Sequence, residues 1–187
     1  MAKTYNTFTN VSTGDVYTAA SHNAILQNLA GYRVPPSAAV PIATGATITN
    51  NTDTVLAFQA ATFSADTDIT VTTGAVSTTY ANGGKVTVTT AGVYLVSYVV
   101  QFDSSGTGVR SATIAKNGTG SPSSATGTGW TQTAGQSAGS HSFGASVLMS
   151  LAANDYLQIA VRQTSGGNLG AIGNQGWLHL AWLGQVS

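Results

Sequence analysis

The chain has 187 residues, of which only 6% are charged, with six Lys and Arg balancing six acidic residues, against about 25% charged in an average soluble domain. Cysteine is absent, which excludes zinc–thiolate sites, thiol catalysis and a disulfide framework. The cations stand singly along the chain, so no basic cluster exists to displace counterions from phosphates, and nucleic acid is excluded as a partner.

All the acids are aspartates (Asp15, Asp53, Asp66, Asp68, Asp103, Asp155), and the polar remainder is rich in Thr, Ser, Gly, Asn and Gln. Such a neutral surface suits contact with protein or glycan, and copies of it repel one another little. No apolar run approaches the roughly 18 residues that span a bilayer, so membrane insertion is not expected. Met1 to Asn6 lack the apolar core of a signal peptide, so the expectation is synthesis in the cytoplasm and export only as part of something larger. The length suits one domain with an appendage.

Residues 1–36 form the appendage. Thr18 to Gly31 reads as a helix, with Thr18 or Ser21 as its cap and Gly31 at its end. His22, Ile25, Leu26 and Leu29 share one face, too narrow a stripe to bury itself alone, and about three turns need something to dock on. With Val16 these residues are candidates for an anchoring arm, and packing on the chain's own domain is the plainer reading. Val34-Pro35-Pro36 stiffens the link to the remainder of the chain.

From about residue 40 the period is two. Thr54–Gln59, Ile69–Thr72 and Lys85–Thr89 read as short strands, the last after the turn cluster Asn82-Gly83-Gly84. Gly92–Phe102 is the strongest strand signal. One face carries Tyr94, Val96, Tyr98, Val100 and Phe102, and the other Val93, Leu95, Ser97, Val99 and Gln101. A strand with one wet side shows polar residues on one set; this strand is apolar on both, so cover on both sides is expected. Val109–Ala115 is a further strand, closed by Lys116-Asn117-Gly118-Thr119, a hairpin signal because Asn and Gly tolerate positive φ. Residues 118–140, nearly all Gly, Ser, Thr, Ala and Gln around an isolated Trp130, read as exposed loops. Ser142–Leu151, Tyr156–Gln163 and Trp177–Leu183 resume alternation. About eight short strands separated by turn signals define an all-β antiparallel sandwich or jelly roll over residues 37–187.

Two stretches resemble known families. Val86 to Tyr98 is similar to the central signature of the complement-globular-head, tumour-necrosis-factor-like jelly roll. Ile114-Ala115-Lys116-Asn117-Gly118 resembles its K-N-G hairpin, Leu151 to Leu157 its L-x-x-G-D-Y turn, and Trp177 to Leu183 its final core strand. Asn154 stands where glycine is usual, and it too tolerates positive φ. The resemblance spans about residues 42–187 and implies a homotrimer, with Val93, Leu95, Val99 and Trp182 as interface candidates; which face of Gly92–Phe102 meets the threefold axis stays open. Asn10 to Leu29 resembles a leader of bacteriophage structural proteins, G-D-V-x-T-A-A-x-x-N followed by a short helix. That likeness implies a virion protein on the particle surface, whose arm grips the major capsid protein or another virion protein.

Chemistry has little to stand on. His22, His141 (in a polar loop) and His179 (within the last strand) form no local Ser/His/Asp arrangement, and no nucleophile elbow or phosphate loop exists. No enzyme and no cofactor is expected. Asp66 and Asp68 are weak candidates for a calcium site and otherwise solvated turn carboxylates. Trp177 and Trp182 fall on opposite faces of their strand, so one fills the core and the other is free for an interface. Trp130 is a candidate for surface recognition of a host glycan or protein, or a plug over the barrel end. The reading is a non-enzymatic virion protein, a trimeric capsid decoration or head fibre. A tail receptor-binding protein and a secreted complement-head-type module are the alternatives.

Overall fold

The computed structural model describes residues 35–61, 63–64, 68–137, 139–171 and 175–185. The expected helix with Val16, His22, Ile25, Leu26 and Leu29 lies outside these residues, as does Asp66.

Thirteen strands are described: β1 (Ser37–Pro41), β2 (Ala46–Ile48), β3 (Thr54–Val55), β4 (Phe63–Ser64), β5 (Ile69–Thr72), β6 (Lys85–Val88), β7 (Gly92–Phe102), β8 (Ser105–Lys116), β9 (Thr128–Gln136), β10 (His141–Leu151), β11 (Tyr156–Gln163), β12 (Leu169–Ala171) and β13 (Trp177–Gly184). All their pairings are antiparallel. In the first sheet β10, β7, β13, β1 and β4 lie side by side, with β12 and β2 joined at the Phe102 end of β7. The second sheet runs β5-β6-β11-β8-β9, with β3 added on β11.

The core between the sheets is the product of period two. Tyr94, Val96, Tyr98, Val100 and Phe102 of β7 meet Ala112 and Ile114 of β8 and Leu157, Ile159 and Val161 of β11, all buried. Each buried Val, Leu, Ile or Phe among them contributes roughly 1.5–3 kcal/mol over its exposed state. Tyr98 crosses the gap between the sheets with its hydroxyl. That group reaches the carbonyls of Ala112 (3.0 Å) and Gly129 (2.7 Å) and the Thr131 hydroxyl (2.7 Å), and burial pushes its pKa up to about 12.

Three expectations change. The stretch 118–140 is not loop throughout: Pro122–Ser124 form a 3-10 turn, and Thr128–Gln136 pair with β8 as an edge strand. An edge strand has its ladder bonds on one side only and little to bury, so it forms from Thr, Gln and Gly without an apolar stripe. The expected strand 54–59 stops at Val55, after which the chain crosses between layers. Leu56 N–H donates to Ile159 O (2.9 Å), Phe58 N–H to Thr73 O (2.8 Å) and Gln59 N–H to Pro41 O (2.8 Å). His141 belongs to no loop; it opens β10 and is buried.

Candidate interaction surface

The outward set of β7 is Val93, Leu95, Ser97 and Val99, and register extends it across the sheet. Leu148 of β10 lies opposite Leu95, which lies opposite Ala181 of β13; Ser146, Ser97 and His179 form the next row, and Gly144, Val99 and Trp177 the one after. Leu148 is 65% exposed, Leu183 58%, and Leu95 and Val99 41% each. A solvated sheet face normally carries polar residues; here large apolar side chains interrupted by one serine–histidine row point to a partner surface.

A depression of about 570 Å³ opens on this face between Ser97, Val99, Gly144, Ser146, Trp177 and His179. Gly144 is required there: a Cβ would overlap the Tyr98 carbonyl oxygen, so β10 approaches β7 this closely only at glycine. The Trp177 ring stands edge-on to His179 with centroids 5.8 Å apart, forming one wall.

Of the interface candidates, Leu95 and Val99 are exposed here and Val93 is half-buried on the same face. Trp182 is not on it. The register of β13 turns Leu178, Leu180 and Trp182 inward, and Trp182 is 7% exposed, with its indole N–H donating to Ala91 O (3.2 Å). The outward tryptophan is Trp177, and Leu148 and Leu183 join it unforeseen. The signal for Leu148 was a lone leucine in the otherwise small, polar set Ser142, Gly144, Ser146 and Ser150.

Trp130 sits on β9 rather than in a loop. It is 37% exposed, and its indole N–H donates to Pro122 O (3.2 Å). The turn beneath it is held by the Ser121 and Ser123 hydroxyls, which donate to Asp53. Arg162 stands 3.5 Å from the same carboxylate. Asp68 is buried instead of solvated: Thr90 Oγ1 donates to its carboxylate (3.0 Å), as does Thr89 Oγ1 (3.3 Å), and the Thr89 N–H donates to its backbone oxygen (2.8 Å). That fixes β5 to the turn before β7.

The two hairpin motifs lock together through Asp155. Its carboxylate accepts from Asn117 Nδ2 (2.7 Å) and the Ala152 N–H (2.7 Å) and pairs with Lys116 Nζ (2.6 Å). Burial alone would raise its pKa, but the bonds from Lys116, Asn117 and Ala152 outweigh burial and hold it below the usual carboxylate range. Asn154 and Asn117 take positive φ, 71° and 52°, as both turns require.

The arrangement defines a jelly-roll sandwich with an apolar outer sheet face, and solved structures share that fold. Murine APRIL at pH 5.0 aligns with a TM-score of 0.57 at 14% identity, covering 80% of this chain and 99% of that one. Eiger TNF from S. frugiperda aligns at 0.56 and 18%, covering 82% and 96%. The globular domain of zebrafish complement 1qA protein aligns at 0.55 and 10%, covering 81% and 99%. At these identities the likeness is one of fold. No family model and no curated protein matches the chain in sequence.

Proposed function

We propose that this chain is a non-enzymatic recognition and display module that works as a homotrimer, its subunits joined through the outer face of the first sheet. The observation that carries the reading is the row Leu148–Leu95–Ala181 with Val99, Trp177 and Leu183 beside it, apolar surface on the side of the sheet that a lone subunit turns to water. The finer reading makes it a bacteriophage virion protein on the particle surface, a capsid decoration or head fibre. Residues 1–36 then hold it to the major capsid protein or another virion protein. The leader-like Asn10–Leu29 supports that placement. A tail protein recognising a host glycan or protein is the second reading, favoured by Trp130, exposed on β9 above a turn pinned by Asp53.

Light scattering on the purified protein tests the assembly: three times the subunit mass is expected, and a monomer at micromolar concentration defeats it. Quantifying the chain against the major capsid protein in purified particles tests the placement. Hundreds of copies fit decoration, a handful fits the tail, and none defeats both.

A further inference from the structure

We infer that His141 and Arg110 form an acid-sensitive latch at the end of the sandwich where β10 begins. Proton uptake by His141 sets a second cation beside a buried guanidinium and loosens the β8–β9–β10 edge.

Both side chains point between the sheets. Arg110 shares the inward set of β8 with Ala112 and Ile114, and His141 shares that of β10 with Phe143, Ala145 and Val147. Arg110 is 0% exposed and His141 6%. Arg110 Nη1 donates to Thr107 O (2.8 Å) and Nη2 to Ser105 O (3.0 Å), while its Nε has no partner among the described residues. Its charge is met by backbone carbonyls and, among the described residues, by no carboxylate. Those two carbonyls belong to the irregular start of β8, where Gly108 has φ +70° and the register with β9 shifts between Ser105 and Val109. The guanidinium therefore staples an otherwise broken stretch of ladder.

The His141 ring stacks on Phe143 (6.3 Å), which stacks on Phe102 (5.9 Å), and among the described residues neither ring nitrogen has a hydrogen-bond partner. A neutral imidazole tolerates that setting; an imidazolium loses its hydration there and gains no acceptor. Burial and the Arg110 charge both hold its pKa below the ordinary histidine value. Among the described residues, other charged groups do not offset them. β9, β10, β12 and β7 carry no further charged residue, Arg162 of β11 faces outward to Asn51 and Asp53, and Asp103 turns its carboxylate to Gly170.

The unfolded chain binds a proton at His141 near pH 6.5 and the folded chain only at lower pH, so stability is full above about pH 6.5 and declines as pH falls below it. The relief open to the fold is to swing one cation out, and Arg110 cannot leave without releasing Ser105 and Thr107.

The test is a Tm profile of the full chain from pH 8 to 5 at one fixed protein concentration, with His141→Gln alongside. Expected is a Tm that falls between pH 6.5 and 5.5 for the wild type, by at most about 2–4 °C, and does not fall in the variant. A flat wild-type profile, or the same fall in both proteins, overturns the latch. Should the variant not fold, the NMR titration of the His141 ring in the wild type decides. A midpoint clearly below 6.5 that rises in Arg110→Gln supports the latch, and a midpoint at or above 6.5 overturns it. Neither readout depends on whether the chain is a trimer.

Discussion

Single side chains hold this sandwich at two points where polar groups are buried. Tyr98 is the first. Its hydroxyl meets groups from β8 and β9, so Tyr98→Phe removes the one proton that the Ala112 and Gly129 carbonyls share there, without opening a cavity. The expected loss is about 1–3 kcal/mol in urea unfolding, with no change in assembly. Asp155 is the second. Its carboxylate is more acidic folded than unfolded, so its contribution is whole above about pH 4 and is lost as pH falls through the lower, folded value. Asp155→Ala is expected to cost about 1–3 kcal/mol at pH 7, since Asn117 and the Ala152 N–H lose their acceptor, and less below pH 3. Equal destabilisation at both pH values in chemical unfolding would remove the linkage. The Asp155 turn was legible in the sequence because Asn154 and Asn117 mark left-handed positions on either side of it. Asp68 was not: a carboxylate in the polar run Asp66-Thr67-Asp68 reads as solvated until folding brings Thr89 and Thr90 over it.

At the scale of elements, legibility followed burial. β7, β10 and β13 each bury one alternating set, and β11, buried on both faces from Leu157 to Val161, still alternates Leu157, Ile159 and Val161 with polar or small residues, so period two exposed all four. β9 buries almost nothing, so Thr128–Gln136 left no apolar pattern, and its strand state comes from pairing with β8. Alternation also cannot say which of two apolar faces points inward. Trp182 and Trp177 were separable as a pair, but only the register of β13 against β7 assigns Trp182 to the core. Gly144 shows the reverse, a constraint invisible in sequence because its cause is the backbone of another strand. Gly144→Ala forces a methyl against the Tyr98 carbonyl, and β10 must part from β7 there. We expect a loss of about 1–3 kcal/mol or more and faster amide exchange at Val99 and Ala145. Unchanged exchange would mean the strands tolerate the wider spacing.

For the whole molecule, the same face must satisfy two states, an exposed one in the free subunit and a covered one in the proposed trimer. Val99 separates them. At 41% exposure it can carry a charge in a lone subunit with little loss, whereas Val96, at 0% and on the same strand, cannot. Val99→Asp is therefore expected to leave the circular dichroism spectrum and a cooperative unfolding transition in place. In a trimer closed through this face it places three carboxylates in one buried interface, each without a described cation in the adjoining row of Ser146, Ser97 and His179. Val96→Asp buries its charge in either state and is expected to abolish folding. Sedimentation of the two variants distinguishes the cases. A folded monomer for Val99→Asp supports assembly through this face, and a folded trimer means the subunits join elsewhere, leaving Leu95, Leu148 and Trp177 to meet a different partner.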